Sequence, residues 1–183
     1  GGGQWGITFD DEGSKFTCSN ARHLMAEMYE DQFAARNAFY SLPPPDVNVG
    51  PEPPAAEIFR LSPEEPWRVL RTKWRVAGLV PGPVEGGGRA SGYFSGATGI
   101  TIYRGDAFPS EYRGNVFVAD CGSNLIHRKR LRRDGLNFLA ERAPDETSKE
   151  FLASRDNWFR PVTMANAPDG TLYVVDMYRE TVE

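Results

Sequence analysis

The sequence predicts an all-β fold, a partial β-propeller domain that spans residues 1–183 and contains two to three blades. The main observation is a repeat: Gly114–Asp120 recurs as Gly170–Asp176, 56 residues further along, and Asp11–Asn20 is a weaker third copy. Both clear copies start at a turn glycine, continue through β-branched and aromatic residues, and end at an aspartate. Repeats of roughly 40 to 50 residues built from short strands are typical of propeller blades, which are four-stranded sheets. The 19 glycines and 14 prolines favour many short elements over a helical bundle.

The individual strands are predicted from short apolar runs that lie between turn residues. Pro168-Asp169-Gly170 is one such turn, because proline presets φ and glycine accepts a positive φ. Strands are expected at residues 1–9, 99–103, 114–120, 124–131, 159–165 and 170–176. Since the chain begins within a strand and stops just after another, we expect it to be a fragment of a longer protein.

Residues 21–96 lack this pattern and are predicted to form a long insertion between blades, made of loops and a short helix. Apolar side chains recur at helical spacing over Leu24–Phe33, which predicts a short amphipathic helix there. The proline-rich stretch 42–54 excludes a regular helix or a central strand. The glycine-rich stretch Glu85–Arg89 lacks the Lys-Ser/Thr of a phosphate-binding loop and is expected to be a flexible loop.

Composition and charge exclude several classes of function. The net charge of −4 gives no reason to expect nucleic acid or an anionic membrane as a partner. No apolar run reaches the length of about 18 residues that a transmembrane helix needs, so no membrane insertion by this segment is expected. The basic run His127–Arg133 is predicted to be an outer, solvated strand, because successive residues of a strand point to opposite faces.

The two cysteines do not predict a metal site, because Cys18 and Cys121 are too few and too far apart in the sequence. Two buried free thiols and one mutual disulfide both fit the sequence. No Cys-x-x-Cys-His motif occurs, so no covalently bound c-type haem is expected in this segment.

The candidate binding residues lie before a predicted strand, in the stretch Arg155–Pro161. Arg155 and Arg160 could each hold a carboxylate in bidentate fashion, and Trp158 could stack on a planar ring beside Asn157. These residues predict a site for a planar anionic ligand at the central opening of the propeller. An Arg–Asp ion pair with a tryptophan that packs between blades would use the same residues.

Three further titratable residues are candidates for a role. Asp120 and Asp176 end the two repeat copies, and they could ligate a cation or accept hydrogen bonds from turn backbone. We favour the backbone hydrogen bonds. His127 is the candidate general base, because the basic residues that follow it disfavour its protonation.

Longer stretches of the chain resemble known families. Residues 97–109 and 112–120 resemble the glucose/sorbosone dehydrogenase propellers, and residues 122–131 and 156–162 resemble the membrane-bound dehydrogenase proteins abundant in planctomycetes. The resemblance covers nearly the whole chain. It implies a six-bladed, quinoprotein dehydrogenase-like propeller, with helical repeats and a c-type cytochrome domain elsewhere in the parent protein. It also implies a periplasmic or other extracytoplasmic location, with membrane association of the parent protein.

For function, the resemblance implies an oxidoreductase that oxidises a sugar or alcohol and passes electrons to the cytochrome domain. In such relatives a histidine takes the hydroxyl proton while hydride passes to pyrroloquinoline quinone (PQQ), which is bound together with calcium. His127 would be the base, and the cofactor would be held by Arg160, Trp158, Asn157 and Arg155. Arg160 matches one of the relatives' two arginines, and Trp158 replaces the other. The alternative hypothesis is a non-catalytic propeller that binds a glycan or a partner protein.

Overall fold

The computed structural model describes residues 6–182, and their strands form three antiparallel sheets, none of which is closed. Strands account for 32% of the residues and helices for 14%, which confirms the prediction of a mostly β chain. No helix among residues 6–182 has the length and apolar composition needed to cross a membrane.

Each sheet follows the chain as an up-and-down meander. The first sheet contains β1 (Gly6–Phe9), β2 (Lys15–Cys18), β3 (Met25–Glu27) and β4 (Asp46–Asn48). The second contains β5 (Ala97–Ile102), β6 (Val116–Asp120), β7 (Leu125–Asp134), β8 (Asn137–Arg142) and the short β9 (Leu152–Ala153), which also pairs with β7. The third contains β10 (Pro161–Asn166) and β11 (Leu172–Asp176). The helices are α1 (Asp31–Ala34) and α2 (Pro66–Val76), with short 3-10 turns at Gly86–Gly88, Ser110–Tyr112 and Pro144–Glu146.

The first strands of the three sheets lie side by side, with β5 between β1 and β10. Glycines permit this close approach. A Cβ at Gly99 would lie 2.6 Å from the Cα of Thr163, and one at Gly6 would lie 2.9 Å from the backbone nitrogen of Ile100. Any larger residue at either position would therefore push two sheets apart.

The apolar core lies between neighbouring sheets, and β6 contributes to both layers. Val116 and Val118 belong to the larger cluster, which is shared with the first sheet. Phe117 and Ala119 belong to a second cluster that includes Met164 of the third sheet. Because successive residues of a strand point to opposite faces, this double burial explains why the sequence of β6 is continuously apolar.

The predicted strands agree with the sheets. Those expected at 99–103, 114–120, 124–131, 159–165 and 170–176 correspond to β5, β6, β7, β10 and β11. The weaker repeat copy contains β2. The strand expected at residues 1–9 is present as Gly6–Phe9, and residues 1–5 lie outside the described residues.

The helix predicted over Leu24–Phe33 is wrong for most of its length. Met25–Glu27 form β3, which is hydrogen-bonded to β2 and β4, and only the single turn of α1 is helical. Leu24, Met25 and Ala26 are buried in succession, as a strand covered on both faces requires. The strands β3 and β4 thus lie inside the stretch 21–96. The rest of that stretch, 49–96, contains α2, a helix that the sequence analysis did not predict.

The prediction that the basic run on β7 is solvated is wrong for its first three residues. His127, Arg128 and Lys129 are buried, and only the later part of the run is exposed. Loop segments return over the strand and supply a carboxylate to each buried basic side chain: Glu150 to His127 at 2.6 Å, Glu146 to Arg128 at 2.9 Å, and Glu52 to Lys129. Leu125 and Ile126 of β7 belong to different apolar clusters, so side chains of the strand do alternate between two faces, but the segments that cover these faces were not predicted.

Candidate functional site

The structure contains a polar cleft, here called the arginine cleft, where α2 crosses the start of β5 and the turn between β6 and β7. Its volume is about 270 Å³, and it adjoins a cavity of about 500 Å³ with which it shares Asn20, Ser95, Gly96 and Val182. The cleft is lined mainly by polar and charged side chains: Glu65, Trp67, Arg68, Arg71, Arg75, Glu85 and Ser95.

The three arginines reach the cleft because α2 places them on one side. Arg68, Arg71 and Arg75 are spaced three and four residues apart, so they project from the same helix face. Proline at the first helical position, Pro66, fixes where this face begins. Arg68 is buried, and its guanidinium donates to the Ser95 hydroxyl at 2.5 Å and the Gly122 carbonyl at 3.3 Å.

The outer two arginines are more accessible. Arg71 lies over the ring of Trp67, 4.7 Å from its centre. Arg75 forms an ion pair of 3.7 Å with Glu85, and its Nε is buried without a hydrogen-bond partner in the described part of the chain. Arg71 and Arg75 line the cleft, and guanidinium groups in such a position can bind an anionic oxygen that enters it.

Positive charge is in excess around the cleft. Arg60 and Arg160 lie behind the three arginines of α2, and the nearby carboxylates are those of Glu65, Glu85 and Asp120. Burial, together with the repulsion of Arg68 and Arg160, lowers the pKa of Arg60, although Glu65 and Asp120 act in the opposite direction. An anionic ligand would relieve this excess of buried positive charge.

The repeated aspartates accept hydrogen bonds from backbone, as we favoured. Asp120 Oδ2 accepts from the N–H groups of Ser95 and Gly96, both at 3.1 Å. Asp176 Oδ1 accepts from the N–H of Arg160 at 2.7 Å and from that of Tyr178 at 2.9 Å. Each aspartate thus links the end of the second strand of its sheet, β6 or β11, to the backbone just before the neighbouring strand, β5 or β10. Within residues 6–182, no cluster of three or more His, Cys, Asp or Glu side chains could hold a metal ion.

Arg160, predicted to hold a cofactor, is fully buried (0% exposed) and bound to the protein itself. Its guanidinium donates to Glu65 at 2.5 Å and to the carbonyls of Cys121 at 3.0 Å, Arg179 at 3.2 Å and Glu180 at 2.5 Å. These bonds leave little donor capacity for a ligand.

The other three predicted cofactor residues do not form a site with Arg160. Asn157 accepts a hydrogen bond of 3.0 Å from Arg60, Trp158 is exposed beside Tyr178, and Arg155 is exposed. The predicted set therefore does not fit a PQQ molecule, because the one arginine that matches the relatives is enclosed by protein.

His127, the predicted base, lies outside both cavities and is 1% exposed. Its Nδ1 is 2.6 Å from Glu150, and its ring contacts those of His23 and Phe94 edge to face. Burial lowers the pKa of His127, although its hydrogen bond to Glu150 opposes this shift. Within residues 6–182, the side chain is enclosed by protein and lines neither cavity.

A comparison with protein-family models gives one match, which covers residues 1–183 and is described as a domain of unknown function, DUF7133. The chain belongs to the DUF7133 family. A search of curated proteins and a search of solved structures each found no match.

The two cysteines of the DUF7133 domain are buried free thiols. Their sulfurs lie near backbone carbonyls, Cys18 by Thr98 at 3.5 Å and Cys121 by Gly96 at 3.6 Å. Burial raises the pKa of Cys18 to about 12 and that of Cys121 to about 11, so neither is a reactive thiolate near neutral pH.

The residues that the sequence analysis missed are the arginines of α2. The sequence did contain two indications of them. A proline at a helix start precedes arginines spaced three and four apart, which is the pattern of a helix with one basic face. Prolines and glycines flank this stretch, and they favour an irregular insertion over a helix.

Proposed function

We propose that this DUF7133 domain is a binding module for an acidic glycan and that the ligand occupies the arginine cleft. The observation that carries this proposal is the placement of Arg68, Arg71 and Arg75 on one helix face that lines the cleft. Guanidinium groups bind carboxylates and sulfates through paired hydrogen bonds. Trp67, in the same cleft, holds the Arg71 guanidinium over its ring and so helps to position it. Small-ligand sites typically have volumes of about 300 to 1,000 Å³; the cleft, at about 270 Å³, is just below this range, and the adjoining cavity of about 500 Å³ is within it.

We also propose that the three sheets are consecutive blades of a β-propeller. The adjacent first strands and the chain-order meanders support this proposal. A further argument is the contrast between the two repeat copies. Tyr173, Val174 and Val175 of β11 are 58, 36 and 50% exposed, whereas their counterparts in β6 are fully buried. A strand that is apolar on both faces is suited to burial between two layers, so β11 has the sequence of an inner blade strand.

Calorimetric titration with oligogalacturonate tests the glycan proposal. We expect binding that weakens with added salt, and Arg75→Gln should reduce the affinity about tenfold or more, since hydrogen bonds to charged groups contribute about 1.5 to 3 kcal/mol. Arg132→Gln, at an exposed arginine of β7, is the matched control. Equal loss in both variants, or no binding by the wild-type chain, would refute the proposal.

The second candidate is the sugar or alcohol oxidoreductase, with PQQ as the anionic ligand and a c-type cytochrome domain as electron acceptor outside the cytoplasm. The chemistry of the arginine cleft favours it, because PQQ is planar and carries carboxylates. Arg68, Arg71 and Arg75 would then hold the carboxylates, and the bound quinone would supply the hydride acceptor. His127 would not be the base in this candidate.

Titration with PQQ and calcium, followed by dye-linked oxidation of glucose, separates the two candidates. Quinone binding that Arg75→Gln weakens, together with turnover, supports the oxidoreductase. Oligogalacturonate binding without quinone binding or turnover supports the glycan module.

A further inference from the structure

The outward side of α2 and the turn after it carry an exposed apolar ridge, here called the α2 ridge. Its members are Leu70, Trp74 and Leu79, which are 45, 42 and 71% exposed. The N–H of Leu79 donates to the carbonyl of Trp74 at 2.8 Å, which holds the turn against the last helical residues. None of the three lines the arginine cleft, so the ridge is a separate surface.

The segment that bears the ridge is basic, although the chain as a whole is acidic. Residues 66–84 include three arginines and Lys73 and no Asp or Glu, whereas the net charge of the chain is −4. Lys73 is exposed next to Trp74. Of the nearest carboxylates in sequence, Glu65 pairs with Arg160, outside the segment, and Glu85 pairs with Arg75, so the remaining positive charge of the segment is that of Arg68, Arg71 and Lys73.

We propose that the α2 ridge docks on an anionic lipid surface, with α2 parallel to the membrane plane. A short helix with tryptophan and leucine on one side and basic residues beside them is the pattern of an interfacial helix. Tryptophan favours the headgroup region, and basic side chains are attracted by anionic lipids. A second copy of the chain fits less well, because a two-fold contact on this ridge would oppose two segments of like charge.

Sedimentation with vesicles tests this proposal on the full chain. We expect binding to vesicles of phosphatidylcholine mixed with phosphatidylglycerol, and little binding to phosphatidylcholine alone. Trp74→Ser combined with Leu79→Ser should lower the partition coefficient more than about tenfold, and Lys73→Gln should lower it about fivefold. Leu136→Ser, at an apolar residue that is 89% exposed in the β7–β8 turn, is the matched control.

Several outcomes would overturn the proposal. They are absence of binding to anionic vesicles, a loss in the Leu136 variant equal to that of the ridge variant, and a dimer that the ridge variant abolishes. Far-UV circular dichroism of each variant separates loss of binding from loss of fold. Because oligogalacturonate binding depends on Arg75 and not on the ridge, the vesicle assay and the glycan titration can fail independently.

Discussion

The buried contact between Arg160 and Glu65 gives the sharpest prediction about stability. Arg160→Met removes the guanidinium that binds Glu65 and the carbonyls of Cys121, Arg179 and Glu180. The two side chains are 0 and 8% exposed, so solvent does not replace the lost contacts. Loss of one partner of a buried ion pair costs about 3 to 5 kcal/mol, because the remaining charge stays buried and unpaired. We expect a loss of this size in the free energy of unfolding.

A double variant isolates the ion pair from the carbonyl contacts. Arg160→Met combined with Glu65→Gln has no unpaired charge, so it should be more stable than the sum of the single losses, by a coupling of about 2 kcal/mol. Urea denaturation followed by circular dichroism measures all four members of the cycle. A loss below about 1 kcal/mol for Arg160→Met, or strict additivity in the double variant, would show that the pair does not stabilise the fold as argued.

Three further predictions concern buried groups. Burial lowers the pKa of His23 well below its ordinary value, so the unfolded chain takes up a proton that the folded chain does not. Between pH 7.5 and 5.5, His23 should therefore contribute about 1.4 kcal/mol to the fall in the free energy of unfolding, in addition to any contribution of His127, and urea denaturation of His23→Phe should show a fall that is smaller by this amount. Asn124 has a positive φ of 59°, so Asn124→Ala should be less stable than Asn124→Gly by about 1 kcal/mol in the same assay; equal stability would contradict the strain. Cys18 and Cys121 should react with a disulfide reagent at pH 8 about a hundredfold more slowly in the folded chain than in urea, and fast reaction of either would contradict their burial.

The strands were predictable because their causes are local. β6 and β11 are runs of β-branched and aromatic residues between turn glycines, and that pattern depends little on the rest of the chain. The hydrogen bonds of Asp120 and Asp176 were predictable for the same reason, since a short acceptor at a strand end commonly binds nearby backbone.

The burial of Arg160 and His127 was not predictable, because its causes are distant in sequence. Arg160 is buried by Glu65, which lies 95 residues away along the chain, and His127 is covered by a segment that carries Glu150. A basic residue on a strand has the same local pattern whether it is solvated or covered by a returning loop. The sequence therefore indicated charged residues of interest but not which of them face a cavity.

Arg160 was predicted to bind a ligand, and its contacts give it a positioning role instead. Its partner Glu65 is the residue immediately before α2, so the ion pair fixes the start of the helix whose arginines line the cleft. The geometry of the arginine cleft therefore depends on Arg160, which does not line the cleft. Arg160→Met should accordingly weaken oligogalacturonate binding as well as the fold, whereas Arg75→Gln should weaken binding and leave the free energy of unfolding nearly unchanged. This difference between the two variants separates the residue that positions the site from the residue that contacts the ligand.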